Sequence, residues 1–329
     1  MNLKLNAYSL KLTAFVLLLF TAIGCSPTYP KDRFKESIVR LCKKEYKLDV
    51  KVETIGRTIA IYVPLTDVID FTFAITQTAS EKINDVILSV SRVALSTDAT
   101  FDFYCIIAHD IRIPEIQIVI IKSVDDVKRF LLNDISRGEY SKRMIVDIRL
   151  NPQSQKERAI KEVFSRMSLD EKWQDQVMND FFRAEPTSLG DIGYWNDRFY
   201  VKDISLGEFL AEQIANRIRL AFREEKGLAD AFFMRSSRGS YAAAPKRRSF
   251  KFDIMAEDKT LGGLGKEEAL AKIQETALRI AAQVLRNYKF EDYDYIDIVD
   301  EKSGETLNVS REKLELFRTK KITLSDIKG

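Results

Sequence analysis

The chain reads as an α+β protein of two two-layer domains, each built from repeated helix–strand–strand units and joined by a helical connector. Three observations lead there. An amphipathic helical stretch followed by two short apolar-patterned segments recurs four times. A strongly charged helical stretch separates the first two copies from the last two. One such unit cannot bury its own apolar faces, so copies are expected to pair, giving a four-stranded antiparallel sheet with helices on one face. The expected boundaries are 32–150 for the N-terminal domain, 151–194 for the connector and 195–329 for the C-terminal domain.

In the first unit Phe34, Ile38, Leu41 and Cys42 share a helix face between Asp32 and Tyr46. Val50, Val52 and Thr54 then alternate with charged residues, Gly56-Arg57 turns the chain, and Ile59, Ile61 and Val63 alternate again. The second unit has a helix from about Ala79 to Leu95 with Ile83, Val86, Ile87, Val90 and Val93 on one face. Strands over Phe101–Ala108 and Glu115–Lys122 follow, with His109–Pro114 expected as a loop. The nearly unbroken apolar run Ile116–Ile121 predicts a strand covered on both faces. After a short helix and a possible strand at Met144–Leu150, Asn151-Pro152 breaks the chain.

The connector is helical from Gln155 to Phe182, with Ile160, Val163, Phe164, Met167, Trp173, Val177 and Phe181 as its apolar stripe, and closes in a loop over Pro186–Gly193. In the third unit Phe209, Leu210, Ile214, Ile218 and Phe222 mark a helix over Leu206–Glu225. Segments Ala231–Met234 and Phe250–Met255 are expected to pair across a long loop. The fourth has a stripe from Leu270 to Leu285, then Tyr293–Val299 facing Thr306–Ser310, with Ser310 capping a last short helix.

The N-terminus carries an address. Lys4 and Lys11 precede an uncharged run from Leu12 to Gly24, the order of a secretory signal, and that run is short for a membrane span of roughly 20 residues. Ala22-Ile23-Gly24-Cys25 resembles the lipobox of bacterial lipoproteins. The resemblance implies removal of residues 1–24, lipidation of Cys25 and permanent attachment to a membrane, since several acyl chains bind far more firmly than one. Ser26 after the cysteine implies an outer membrane, with the protein facing the periplasm. Residues 25–31, with Pro27 and Pro30, form an extended tether.

Without residues 1–24 acids and bases nearly balance, which excludes the basic footprint of a nucleic-acid binder. Cys42 and Cys105 are either a disulfide or two buried thiols. The chain has one histidine, His109, so no metal-ligand spacing of Cys and His exists, and neither a metal nor a cofactor is expected. His109-Asp110 lies in an expected turn without a nucleophile motif, which predicts a structural residue. Gly262-Gly263-Leu264-Gly265-Lys266 misses the phosphate-loop spacing, with Thr260 and Glu267 at required positions.

Three stretches remain. Tyr194, Trp195, Asp197, Arg198 and Tyr200 follow a breaker and have the composition to stack on a sugar or anchor a partner protein, or else to plug the C-terminal core. Arg235, Arg238, Lys246, Arg247 and Arg248 surround an expected mobile loop, which would meet anionic lipid or cell-wall polymer, or simply water. Glu291, Asp292, Asp294, Asp297, Asp300 and Glu301 lack calcium-loop spacing and read as a solvated strand edge. No catalytic residue is predicted. The expected function is a non-enzymatic, membrane-anchored interaction module with an envelope protein or cell-wall polymer as partner. A glycan or small-molecule binder and a carboxylate hydrolase are the alternatives: an exposed apolar groove favours the first, an aromatic cleft the second, a cleft with facing carboxylates the third.

Overall fold

The computed structural model describes residues 28–72, 74–167, 170–244, 247–259 and 265–328. The signal-like stretch, Cys25, the start of the tether, Lys246 and Gly262 to Leu264 lie outside the described residues. Among those described, no helix is long and apolar enough to cross a membrane.

Helix α1 (Phe34–Tyr46) ends where Lys47 enters the left-handed region at φ 58° and its N–H bonds to the Cys42 carbonyl. Strands β1 (Lys51–Ile55) and β2 (Thr58–Leu65) form a hairpin around Gly56 at φ 55°. Helix α2 (Gln77–Leu95) starts before the expected Ala79 because the Thr76 side chain accepts from the Ala79 N–H at 3.2 Å. Strands β3 (Phe103–Asp110) and β4 (Ile113–Ser123) run through the stretch expected as a loop, leaving only Ile111-Arg112 as the turn. Asp110 makes this possible by accepting from the N–H groups of Val68 and Arg112, both at 2.9 Å, and the ladder register shifts there, freeing Pro114 from donating.

Helices α3 (Val124–Leu131) and α4 (Arg137–Arg143) lead to β5 (Ile145–Leu150), which adds a fifth strand, so the order is β1-β2-β3-β4-β5. The sheet is not purely antiparallel as expected: β2 and β3 pair parallel. Helix α2 is the cause, because it crosses over between the hairpins and returns the chain in its original direction.

The connector is two helices, α5 (Pro152–Met167) and α6 (Glu171–Phe181), followed by a small hairpin of β6 (Gly193–Trp195) and β7 (Arg198–Tyr200). Asn196 and Asp197 both take positive φ, the two-residue turn that suits a tight hairpin. Helix α7 (Leu206–Glu224) carries a full capping box of Ser205 and Glu208. After α8 (Lys226–Ala231), β8 (Phe232–Ala244) and β9 (Arg247–Asp258) pair from Phe232–Asp258 to Ala244–Arg247. Helix α9 (Lys266–Asn287), β10 (Tyr295–Asp300), β11 (Thr306–Ser310), α10 (Arg311–Arg318) and α11 (Leu324–Lys328) complete the chain. The sheet order is β11-β10-β9-β8, and β9 and β10 are again parallel across the intervening helix α9.

The protein is thus α+β, with its sheets in separate units that share a topology. Alternation along β3 sends Tyr104, Ile106 and Ala108 into a core with α1 and α2, and Phe103, Cys105 and Ile107 into a second core. That second core also holds Phe209, Leu210, Ile214 and Ile218 of α7, and Phe250, Phe252 and Ile254 of β9. Helix α7 therefore lies between the sheets, and full burial of each such side chain contributes about 1.5–3 kcal/mol. Gly239 permits the close approach, because a Cβ there would stand 2.1 Å from the Ala211 carbonyl oxygen. Cys42 and Cys105 are free thiols in different cores.

Polar contacts tie the units as well. The Ile204 N–H donates to Thr58 Oγ1 at 2.9 Å and the Arg57 N–H to Asp203 Oδ1 at 2.8 Å. Deeper, Arg143 of α4 pairs with Asp126 of α3 at 2.8 Å, both nearly sealed from solvent, while Tyr288 donates to Asp126 and Gln213 donates to the Arg143 carbonyl at 2.7 Å.

Candidate functional site

The connector carries five exposed large apolar side chains on two successive helices. Val163, Met167, Trp173, Val177 and Phe181 are each between 42 and 61% exposed, and of the predicted stripe only Phe164 is buried. Local sequence explains the helices: Asn151 caps α5 by accepting from the Gln153 and Ser154 N–H groups at 2.9 and 3.1 Å, and Asp170 caps α6 through the Lys172 N–H at 2.9 Å. On α5, the Lys161–Glu157 and Arg166–Glu162 pairs sit one turn apart. Among the described residues, no neighbour of this helix pair covers these five side chains fully.

Its base is held by a buried polar cluster. Asn151 donates to Gln117 Oε1 at 3.2 Å and to the Tyr194 carbonyl at 2.9 Å, and Gln117 donates to the Ile192 carbonyl at 3.0 Å. A Cβ at Gly193 would lie 2.2 Å from Gln153 Oε1, so any larger residue there would displace the end of that side chain. Beside this cluster is a cavity of about 280 Å³ between the end of α6 and the 184–191 segment, with Phe181, Phe182, Tyr200, Gln153, Lys156 and Asp191 in its wall.

Between the sheets lies a second cavity of about 390 Å³, floored by Val119, Ile121 and Ile145 and walled by α7 and β8. It contains Asp147, Glu208 and Glu212. Asp147 pairs with Arg149 at 2.9 Å, Glu212 with Arg219 at 3.4 Å and Glu208 with Lys202 at 2.5 Å. Burial pushes the Glu212 carboxyl above its ordinary range, with Arg219 opposing and Asp147 reinforcing the shift. Lys202 and the cap at Ser205 bring Glu208 below it, against its own burial.

The predicted aromatic segment is largely packing. Tyr194 is buried with its ring stacked 3.7 Å from that of Tyr62 on β2, and its hydroxyl donates to Asp197 while Lys51 donates to both. Trp195 is half-buried and donates its indole N–H to Glu157 of α5. Tyr200 is buried, Arg198 is exposed with its guanidinium 5.8 Å from the Tyr200 ring, and Asp197 is exposed. The segment joins the first sheet and α5 rather than plugging only the C-terminal core.

The expected basic loop is a correction. Arg235, Arg238, Arg247 and Arg248 stand on paired strands, and each has an acidic partner: Glu257 at 2.8 Å, Glu301, Asp297 at 3.2 Å, and Asp292 with Asp294 at 3.0 Å, respectively. The run Ser-Ser-Arg-Gly-Ser-Tyr-Ala-Ala-Ala lacks strand propensity, and hides the hairpin, because its small residues let α7 lie close on β8. The acidic stretch expected as a solvated edge supplies four of those partners, and no cluster suited to a metal ion exists among the described residues.

His109 is in β3 rather than in a turn. It is buried, 5.8 Å edge-on to Tyr62, with Nδ1 unpartnered among the described residues, and burial lowers its pKa. Sequence reasoning passed over Lys122, whose ammonium is buried against Tyr140 and pulled down to about 8 by desolvation, and the inter-sheet carboxylates. Nothing in the local pattern marks the carboxylates, because α7 and β5 are far apart in sequence, and Lys122 meets Tyr140 only through the packing of α4 on β4.

No family model, no curated protein and no solved structure matches this chain.

Proposed function

We propose that the protein is a lipid-anchored cell-envelope interaction module, tethered through Cys25, that docks another envelope protein on the exposed apolar side of α5 and α6. The observation that carries this reading is the stripe itself: five large apolar side chains on two helices, with Trp173 among them, facing solvent. A contiguous apolar surface rimmed by charge is the usual mark of an association site, and a central Trp is its most common anchor. The charges flanking the stripe are balanced and partly paired along the helix, which favours a protein surface over an anionic lipid surface.

A photo-crosslinking residue in place of Trp173, in cells, tests the docking. The expected result is an adduct with one other envelope protein that re-forms from purified components, while the same probe at Lys251 on the second sheet gives none. No adduct at 173, or only self-adducts, overturns it. Anchoring is tested separately by Cys25→Ala, expected to abolish lipid incorporation and signal cleavage; a variant still processed and membrane-bound removes the anchor.

One feature favours a carboxylate hydrolase instead, the raised carboxyl of Glu212 beside Asp147. Turnover of purified cell-wall glycan that Glu212→Gln abolishes would establish that reading and displace the binding one.

A further inference from the structure

The cavity at the C-terminal end of α6 combines groups that, Phe181 apart, the docking stripe does not use. Three aromatic rings line it: Phe181 and Phe182 meet edge to face at 5.4 Å, and Phe182 meets Tyr200 at 6.1 Å. Opposite them stand polar groups. Lys156 pairs with Asp191 at 2.9 Å, and Thr187 donates to Asp191 Oδ2 at 3.1 Å. Gln153, 3% exposed, spends its amide N–H on the Asp191 carbonyl at 2.7 Å and keeps Oε1 without a donor. The Tyr200 side chain is buried and completes the same wall.

Such a wall, apolar on one side with a few convergent hydrogen-bonding groups on the other, is the common make-up of small-molecule sites. The volume of about 280 Å³ is near the lower limit of about 300 Å³ for such sites, which leaves room for one ring and not for an acyl chain or a peptide. An all-apolar ligand would strip water from Lys156, Asp191 and Gln153 without replacing its hydrogen bonds, a cost it has nothing to offset. A pyranose has an apolar C–H face for the aromatic wall and hydroxyls that donate and accept around its rim.

We infer that this cavity binds a single sugar ring, stacked on Phe182 and hydrogen-bonded by the Tyr200 hydroxyl and the Thr187–Asp191 side. Free monosaccharide and the terminal residue of a glycan present the same chemistry to it. The site adjoins the apolar docking surface at Phe181, which belongs to both, while Phe182, Tyr200 and Thr187 lie outside that stripe.

The test is saturation-transfer NMR and calorimetry on the full chain with glucose, N-acetylglucosamine and the β-1,4-linked tetramer of N-acetylglucosamine. Saturation of ring protons is expected with at least one of them. Transfer confined to the terminal ring of the tetramer identifies a glycan end, and comparable monosaccharide affinity identifies free sugar. Tyr200→Phe, which keeps the ring, should weaken binding about fivefold, equivalent to about 1 kcal/mol for one neutral hydrogen bond, with an unchanged melting temperature. Phe182→Ala should abolish saturation of the C–H face. If Tyr200→Phe fails to fold, Thr187→Val at an exposed position makes the same comparison. No transfer from any of the three sugars, or equal affinity in wild type and the variants, overturns the site.

Discussion

In the first sheet β3 places Tyr104, Ile106 and Ala108 under α1 and α2 and Cys105 and Ile107 under α7, so both faces are dry. In the second sheet β9 sends Phe250, Phe252 and Ile254 inward and leaves Lys251 and Asp253 outward, where they pair at 2.8 Å. The two sheets have the same order of helix, hairpin, helix, hairpin and the same central parallel pair. What differs is cover, and the sequence records it: β4 is an apolar run where β9 alternates. Shared topology therefore does not imply shared surface, and charge acts differently in the two places. Beneath the first unit Arg143 and Asp126 are sealed in, whereas on the second sheet Arg247 and Asp297 meet near water.

That contrast is easiest to break at the sealed pair. Arg143→Met should cost about 3–5 kcal/mol in chemical denaturation, because it leaves Asp126 buried without its cation. A loss under about 1 kcal/mol would show that water reaches the joint. Next, Ile106→Ala should cost about 2–5 kcal/mol while Lys251→Ala, outward on the second sheet, should change stability by no more than about 0.5 kcal/mol; equal losses would mean the second sheet is covered too.

Lys122 gives the contrast a pH signature. Desolvation lowers its folded pKa from 10.5 to about 8, so the unfolded chain binds the extra proton between those values. Stability contributed by this group therefore rises as pH climbs from about 8 to 10.5, and its penalty is complete below 8. Lys122→Met should flatten that slope and stabilise the protein at pH 7 by up to about 3 kcal/mol, read from denaturation midpoints across the window. The smallest effect is expected at Arg247→Gln, which should cost no more than about 1 kcal/mol and less in high salt; a larger loss would place the Arg247–Asp297 pair in a drier setting than its half-exposed arginine implies.

Much of the fold was legible. The helices expected over Asp32–Tyr46 and Ala79–Leu95 emerged within two residues of their observed limits, and the Leu270–Leu285 stripe falls inside the helix Lys266–Asn287, because amphipathic periodicity is a local record of which side is buried. The pairing of Ala231–Met234 with Phe250–Met255 was expected, but its extension through the stretch expected as a long loop was missed, and that stretch had the opposite property. Ser, Gly and Ala at 236–244 read as a loop, and only the close approach of α7 explains why small residues are needed in that strand. The candidate cavity was half visible: Phe181, Phe182 and Tyr200 stand out as aromatics, but their meeting with Gln153 and Asp191 depends on how the connector folds back.

By itself, then, the sequence determined the α+β class, the repeated units, the sealed β4 strand and the apolar stripe of the connector, all of which are written in spacing along the chain. Tertiary structure alone decided that the stripe stays uncovered, that the basic and acidic stretches neutralise each other across β8, β9 and β10, and that α7 is shared by two sheets. Those outcomes depend on which distant surfaces meet, and hydrophobic burial, being non-directional, leaves that choice to the packing of the whole.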